Sequence, residues 1–388
     1  MCGHRLEVAA FDLLCALVRP EVDTGFVRQT LGRKVPFGAL LQAARDHSLR
    51  PQLIRALAGL GWEGVPAAQR SALENFQQLH GALALGMAEQ LGRVSDAMAA
   101  HGLRCAAFKG ATLAVILYGS LSAREYTDID LIVPAEALDA AEDVLEALGY
   151  ASDHDDRRFR RAFLGYQRQI SFGHPAQAAI DLHWDFTGIH LPFPLTPAEI
   201  WDSLETIKVG QHDVPAIAGA NLALLLAGHG TKERWRSLGW VVDFAVLVDR
   251  QRGLDWSTIY RRAQAAGCGD NVLLACTLAE RLLGVGVPEA LIRPLGRRTR
   301  VEALVSGMID ELRLGEEGRK KGRNLVDIDL CDRRLDRIAA SVKLALTPTI
   351  SDYRAMPLPS SLWPLYRVTR PFRLAASTLA SRLQLRLE

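Results

Sequence analysis

Three aspartates in two short apolar segments are the residues of this chain best suited to chemistry. Asp128 and Asp130 open one segment, and Asp181 lies in a later segment that alternates apolar and polar residues. Alternation along a β-strand places Asp128 and Asp130 on one face. If the two strands are neighbours, the three carboxylates converge, and their mutual repulsion favours a bound cation. Oxygen ligands of this kind favour Mg²⁺, and three carboxylates can hold two ions about 3.5–4 Å apart.

A lysine-glycine turn lies close to these aspartates in the sequence. Lys109-Gly110 follows the apolar residues 104–108 and precedes a helical pattern, a setting that suits phosphate groups. Gly119-Ser120 also has the composition of a phosphate-binding turn, but we place it after the helix, as the turn into the next strand. Arg124 is a second cation beside the aspartates. In the alternative interpretation, Lys109 is merely exposed and Arg124 forms a surface salt bridge.

Four further residues are candidates for lining a cleft opposite the strands. His183 shares a strand face with Asp181 and would orient it or an acceptor, although a lone histidine is as often structural. His229, Lys232 and Trp235 recur at three-residue spacing on a predicted helix and would contact a base, a ribose or an acceptor. Alternatively, Trp235 and Trp240 belong to a core and Lys232 pairs with Asp243.

The composition is that of a globular protein without an obvious nucleic-acid or membrane-spanning role. The 388 residues are 49% hydrophobic and 23% charged, with a net charge of +2 that makes a nucleic-acid partner unlikely. No apolar run is long enough to predict a transmembrane segment. The six cysteines are scattered, which favours a reduced, cytoplasmic location without a zinc site or a disulfide framework.

Changes of hydrophobic period predict an α+β protein, in which a small mixed β-sheet core is flanked by N-terminal and C-terminal helical domains. We expect a helical domain over 1–102, an α/β core over 103–218 and a second helical domain over 219–346. Residues 347–388 form a proline-rich connection and a basic amphipathic helical tail, which would dock on the body, contact an anionic membrane surface or bind a partner.

Within these regions the pattern predicts strands at 104–108, 129–133, 169–172 and 179–184, and a hairpin over 205–214. Residues 66–101 form one long helix or two helices joined near Gly81–Gly86. The charged stretch 316–323 is expected to be a solvated loop.

Taken together, the motifs resemble the DNA polymerase β-like nucleotidyltransferase superfamily, and more narrowly its bacterial branch of uncharacterised nucleotidyltransferases. The resemblance spans roughly residues 80–250. It is carried by Lys109-Gly110, Leu117-Tyr118, Arg124, Asp128-Ile129-Asp130-Leu131-Ile132-Val133, Gly149-Tyr150, Asp181-Leu182-His183, His229, Lys232 and Trp235. The chain departs from the wider superfamily in its phosphate turn, where a lysine replaces the usual first glycine.

The resemblance implies a Mg²⁺-dependent transfer of a nucleoside monophosphate, or of a phosphoryl group, from ATP or GTP to a hydroxyl or phosphate acceptor. It assigns Asp128, Asp130 and Asp181 to the metals, with Asp181 also accepting the acceptor's proton. It assigns Lys109, Gly110 and Arg124 to the nucleotide phosphates. The resemblance also implies an acceptor that is a small molecule or a peptide, including a ribosomally made peptide.

Two other classes of function share this fold. One is a non-catalytic module that binds nucleotides or peptides, and the other is an antitoxin-like partner protein. Retaining three clustered acids without a metal would be costly, which argues against the first. The length of the chain argues against the second.

Overall fold

The computed structural model describes residues 2–32, 34–152, 168–188, 191–314 and 331–384. It has the expected α+β architecture, with one mixed sheet of seven strands and helices on both sides. The strands are β1 (Ala106–Ala107), β2 (Asp128–Ile132), β3 (Ala151–Ser152), β4 (Gln169–His174), β5 (Gln177–His183), β6 (Glu205–Val209) and β7 (His212–Ala216). Their order in the sheet is β3-β4-β5-β2-β1-β7-β6.

Helices precede, interrupt and follow these strands. The first seven are α1 (Cys2–Val18), α2 (Thr24–Thr30), α3 (Phe37–Asp46), α4 (Arg50–Gly59), α5 (Ala67–Ala100), α6 (Gly110–Tyr118) and α7 (Leu138–Ala147). The next five are α8 (Pro197–Ile200), α9 (Gly219–Lys232), α10 (Leu238–Arg250), α11 (Trp256–Ala265) and α12 (Gly269–Leu283). The last five are α13 (Glu289–Leu295), α14 (Thr299–Arg313), α15 (Arg334–Leu346), α16 (Ile350–Ala355) and α17 (Tyr366–Gln384).

The two central strands run side by side, as the sequence predicts. β2 pairs with β5 in parallel, and Asp130 lies opposite Asp181 in the register. Ile129 and Ile180 are paired on the other face, where both are buried. Alternation therefore separates an apolar face, which packs into a core, from a face that carries the carboxylates.

Different helices cover the two faces of the sheet. The face that carries Ile129 packs on α5 and α7. The opposite face, represented by Phe108 and Ile132, belongs to a larger core formed by the N-terminal helices together with α9 to α14. The N-terminal and C-terminal helical regions therefore share one core.

Most predicted elements are present, with differences in length. Residues 66–101 form a single helix, α5, because isolated glycines lower helix stability without ending a helix. β1 has two residues where 104–108 predicted five, and the sequence analysis missed β3, which is equally short. The predicted hairpin is present as β6 and β7. The charged stretch 316–323 lies outside the described residues.

The C-terminal helices form a small cluster of their own. Tyr366 of α17 is buried against Tyr353, Leu358 and Trp363. Arg370 and Arg373 both bond to the carboxylate of Asp352, at 2.6 and 2.7 Å.

Among the described residues, no helix combines the length and apolar character needed to cross a bilayer.

Candidate active site

A cavity of about 570 Å³ lies over the carboxylate face of β2 and β5. The start of α6 and the segment from Arg124 to Thr127 form one side of it. The end of α9 and the start of α10 form another, and the α3–α4 turn contributes Asp46, Ser48 and Gln52. Parts of the chain that are far apart in sequence therefore build one polar chamber.

The predicted carboxylates meet on the floor of this cavity. Asp130, Asp181 and His183 each offer a ligand atom, and these atoms lie within 4.8 Å of one another. Asp128 lines the same cavity one strand repeat away from Asp130 but is not part of this cluster. Among the described residues, the group that could hold a metal therefore includes His183, for which the sequence predicts a role in orienting Asp181 or an acceptor.

Asp130 is the most enclosed of the three carboxylates. Its Oδ1 lies 3.3 Å from Lys109 Nζ and 3.2 Å from His183 Nε2. Burial alone would raise the pKa of Asp130, but Lys109 and the hydrogen bond from His183 hold it below its ordinary value. Asp130 is therefore ionised at neutral pH.

His183 is neutral in this environment. Burial lowers the pKa of its imidazole, and this effect outweighs the opposing influence of Asp130. Because an ionised carboxylate only accepts hydrogen bonds, the proton of the neutral ring is on Nε2, where it is donated to Asp130. The Phe108 ring packs edge-on against the imidazole, with ring centroids 4.9 Å apart.

Asp181 and Asp128 have contrasting surroundings. Asp181 accepts hydrogen bonds from Gln169 Nε2 at 3.0 Å and Ser171 Oγ at 2.5 Å, both from β4. The side chain of Asp128 has no hydrogen-bond partner among the described residues, although its backbone belongs to the β2–β5 pair. Burial raises its pKa, and the charges of Asp130 and Asp181 raise it further. A cation bound here would relieve that repulsion, so the oxygen-rich donor set fits a hard divalent ion.

The Lys109-Gly110 turn has a backbone that only glycine tolerates well. Gly110 has φ +52°, and a Cβ at this position would lie 3.2 Å from the Asp128 carbonyl oxygen. The turn therefore packs directly against the strand that carries the aspartates. Gly119 ends α6 in the left-handed region, at φ +71°, which places Gly119-Ser120 after the helix as predicted.

Arg124 lines the cavity wall but is already engaged. Its Nε donates to Asp243 Oδ2 at 2.8 Å, and Tyr118 Oη donates to Oδ1 of the same carboxylate at 2.7 Å. Burial would lower the pKa of the guanidinium, but Asp243 raises it above its ordinary value. The salt bridge of Arg124 that the sequence analysis considered therefore exists, but it is formed with Asp243 in the interior and not at the surface.

His229 and Lys232 of α9 both line the cavity. Lys232 Nζ donates to the Phe186 carbonyl oxygen at 3.1 Å, so the pair with Asp243 considered from sequence does not form. Burial lowers the pKa of both side chains, and the charge of Lys109 lowers each further. Lys109 and Lys232 are therefore near enough to each other to create a positive region beside Asp130.

Trp235 does not reach the cavity, which corrects its prediction as a cleft residue. Its ring is fully buried, packs against Phe244 and Gly230, and donates from Nε1 to Thr231 Oγ1 at 3.3 Å. The chain leaves α9 through positive φ angles at residues 234 and 235, which turn this side chain inward. Trp240, which is five residues further along in α10, lines the cavity instead.

Several cavity residues escaped the sequence analysis. Gln52 and Ser48 lie in a region interpreted only as helical packing, and no local motif distinguishes them. The α3–α4 turn reaches the cavity because Ser237 Oγ bonds to the His47 carbonyl oxygen at 3.1 Å, across 190 residues of sequence. Gln169 could have been found, since it opens a predicted strand beside Asp181.

Three comparisons with known proteins place the chain among its relatives. A family model described as "Uncharacterised nucleotidyltransferase" matches residues 33–284. Among solved structures, that of the antibiotic-resistance factor ANT(2'')-Ia matches with 14% identity and a TM-score of 0.28, over 56% of this chain and 94% of that one. No curated protein matches.

Proposed function

The chain belongs to the family of uncharacterised nucleotidyltransferases, and we propose that it moves a nucleoside monophosphate from ATP or GTP to a hydroxyl or phosphate on a small molecule or peptide. The observation that carries the proposal is the meeting of Asp130 and Asp181 with Lys109 in one cavity, where the buried His183 lies against Asp130. Carboxylates and a lysine at one site suit a reaction in which charge develops on phosphate oxygens.

The carboxylates of this cavity fit Mg²⁺, which prefers oxygen ligands, and we propose that Asp130 and Asp181 hold it together with Asp128, which lines the same cavity. The raised pKa of Asp128 supports this role, because burial and the charges of Asp130 and Asp181 outweigh the opposing charges of Lys109 and Arg124, and a bound cation would relieve that excess of negative charge. Bound Mg²⁺, as two ions, would neutralise phosphate charge and align the attacking and leaving oxygens. His183 would fix the orientation of Asp130 through its Nε2–H.

The leaving pyrophosphate would lie at the lysine end of the cavity. Lys109 and Lys232 both face this end, and Gly110 allows the backbone at the start of α6 to approach a phosphate closely. The charges of the two lysines would stabilise the pyrophosphate as it departs. We give Arg124 the smaller role of shaping the wall, because Asp243 already holds its guanidinium.

The acceptor would enter from the opposite side. An in-line displacement puts the attacking and leaving oxygens on opposite sides of the phosphorus, so the region away from the lysines is left for the acceptor. Gln52, Glu125 and Asp243 also line the cavity, and we propose that they contact the acceptor. Asp181, held by Ser171 and Gln169, would accept the proton of the attacking hydroxyl.

This chamber suits a small or peptidic acceptor better than a nucleic acid. Its lining mixes both signs of charge, and the whole chain has a net charge of only +2.

We propose the cytoplasm as the location of the protein, which is supported by five described cysteines that are all buried free thiols.

The test is mass spectrometry of candidate acceptors incubated with each nucleoside triphosphate and Mg²⁺. We expect an added mass equal to a nucleoside monophosphate less one water, with release of pyrophosphate, and a loss of roughly 10²–10³-fold in rate for Asp130→Asn. Asp213→Asn, on the exposed side of β7, is the matched control and should leave the rate unchanged.

Nucleotide binding is measured separately by thermal unfolding. A nucleotide at 100 times its dissociation constant should add roughly 2.7 kcal/mol to the free energy of unfolding. If no nucleotide stabilises the protein and Asp130→Asn behaves as wild type in both assays, a binding or partner role replaces the enzymatic one.

A further inference from the structure

Three aromatic side chains of the described residues line the cavity, and their surroundings differ. They are Tyr126, His229 and Trp240. Tyr126 belongs to the core on the α5 side of the sheet and is only 9% exposed. Trp240 is partly buried, because it packs against the large core and also lines the cavity. Trp240 therefore combines firm packing with a surface that a ligand in the cavity can contact.

The indole of Trp240 is held in place by the imidazole of His229. The two rings meet edge to face, with centroids 5.2 Å apart and planes at 70°. Burial lowers the pKa of His229 well below its ordinary value, so the imidazole is uncharged at neutral pH. Because the Trp240 ring is fixed before a ligand arrives, a ligand that stacks on it loses little affinity to the ordering of a side chain.

His229 also connects Trp240 to the groups that we assign to the triphosphate and the metal. The charges of Lys109, Lys232 and Asp130 all act on its imidazole, so the three groups lie close to it. In a nucleotide, the base is separated from the phosphates by one ribose. A nucleoside triphosphate with its phosphates beside the two lysines can therefore bring its base to Trp240.

The α3–α4 turn forms the wall beside Trp240. A Cβ at Gly239 would lie 2.7 Å from the His47 carbonyl oxygen, so the turn packs directly on the residue that precedes Trp240. Asp46 and Ser48 of this turn line the cavity. A hydroxyl donates and accepts hydrogen bonds and a carboxylate accepts them, whereas the edges of nucleobases carry both donors and acceptors. The wall next to the indole therefore offers polar partners to the edge of a stacked base.

The size and chemistry of the cavity fit a nucleotide. Its volume of about 570 Å³ lies within the range of cofactor sites, roughly 300–1,000 Å³. Nucleobases stack on aromatic side chains because each base has a flat π face. The two fused rings of a purine match the two fused rings of indole in extent, so a purine covers more of Trp240 than a pyrimidine does.

We propose that Trp240 is the stacking platform for the base of the nucleotide, with a preference for purines, and that Asp46 and Ser48 face the edge of the base. This inference rests on the proposed function and names the part of the cavity that binds the base. It replaces Trp235, which the sequence analysis considered for the same contact, with a tryptophan of the next helix.

The experiment is isothermal titration calorimetry of the full chain with ATP and with inorganic tripolyphosphate, both in the presence of Mg²⁺. Tripolyphosphate carries the three phosphates without the base. We expect Trp240→Leu to weaken ATP binding by about tenfold and to leave tripolyphosphate binding unchanged. Trp240→Phe keeps an aromatic face and should retain most of the affinity for ATP. The loss caused by Trp240→Leu should be smaller for UTP, whose base has a single ring.

Trp201→Leu is the matched control. Trp201 is also partly buried and packs against the same core, but it lies outside the cavity lining. This variant should bind ATP and tripolyphosphate as the wild type does.

Equal losses of ATP and tripolyphosphate binding in Trp240→Leu would overturn the inference, because the ring would then act only by supporting the fold. Unchanged ATP affinity with a raised KM for the acceptor would also overturn it, since the ring would then contact the acceptor. If the wild type binds neither ATP nor tripolyphosphate, the proposed function itself fails. If the wild type and Trp240→Leu bind ATP equally well, only the assignment of Trp240 fails.

Discussion

At the scale of single residues, His183 connects the electrostatics of Asp130 to the proposed reaction. We predict that His183→Leu lowers the rate by about 10–100-fold, since a residue that orients a metal ligand has effects of this size. The change removes a hydrogen bond that lowers the pKa of Asp130, so that pKa rises. The loss of activity on acidification should therefore begin at a higher pH, which a pH–rate profile measures.

His183→Gln is the control for this prediction, because its amide can still donate to Asp130. It should retain most of the activity and keep the acidic limb of the profile near its wild-type position. If Leu and Gln variants lose activity equally, with no displacement of the limb, the histidine acts by another route.

The two tryptophans near the start of α10 should respond differently to substitution. Trp235 is fully buried, so Trp235→Ala should lower the free energy of unfolding by about 3–5 kcal/mol, as measured by denaturant titration. Trp240 lines the cavity and is only partly buried, so Trp240→Ala should lower stability less and raise KM for one of the substrates. A large stability loss for both variants, with unchanged KM, would place both rings in the core.

At the scale of elements, a glycine allows α5 to pack closely on β7. A Cβ at Gly92 would lie 2.0 Å from the His212 ring, which bonds to Glu89 and Asp96 of the same helix at 3.0 Å. We predict that Gly92→Ala destabilises the protein by about 1–3 kcal/mol, because the histidine must move and abandon both carboxylates. Chemical denaturation measures the change.

Two variants separate this cause from a simple helix effect. Gly86→Ala, on the same helix with open space around it, should be neutral or stabilising by up to about 1 kcal/mol. In a His212→Ser background the space is free, so Gly92→Ala should then cost little. Equal destabilisation of Gly92→Ala in both backgrounds would contradict the packing argument.

The same histidine gives the α5–β7 contact a pH dependence. Hydrogen bonds to Glu89 and Asp96 raise the pKa of His212 above 6.5. A raised pKa contributes stability that is complete below the unfolded value and is lost as pH rises through the folded one. The stability difference between wild type and His212→Gln should therefore shrink as the pH rises from about 6.5 through the raised pKa of the folded protein. It should not exceed about 1 kcal/mol, since both carboxylates are largely exposed.

Local patterns predicted the elements that carry the carboxylates. Alternation around Ile129 and Ile180 identified β2 and β5, and their shared face followed directly. The exclusion of Asp128 from the tight cluster depends on strand register, which no single segment encodes. The contribution of Gln52 and the inward turn of Trp235 depend on contacts between α3, α4, α9 and α10, and these contacts are distant in sequence.

At the scale of the whole molecule, the sequence predicts successive domains, but the N-terminal and C-terminal helices share one core. Side chains of α1 such as Leu13 and Leu14 are buried in the same core as Leu273 of α12 and Val305 of α14. The α3–α4 turn then extends from this core to the cavity. The N-terminal helices are therefore part of the structure that supports the active site, in addition to being a flanking region.

This arrangement predicts how shortened chains behave. A fragment of residues 1–314 keeps both large cores and loses mainly the C-terminal cluster around Tyr366, so it should fold and still be stabilised by nucleotide. A fragment of residues 33–284, the span of the family match, lacks α1 and α14 and uncovers the side of α12 that packs against these two helices. Each leucine so exposed costs about 1.5–3 kcal/mol, and a few of them equal the net stability of a typical domain, roughly 5–15 kcal/mol.

Circular dichroism melts and nucleotide-dependent thermal shifts distinguish the two fragments. We expect cooperative unfolding of 1–314 near the full-length midpoint, and a non-cooperative or aggregating 33–284 that nucleotide does not stabilise. If 33–284 unfolds cooperatively at the full-length midpoint, the helices beyond its ends do not support the core that holds the cavity. The shared core would then be only a contact between independently folding units. The N-terminal helices would contribute to the cavity through the α3–α4 turn alone.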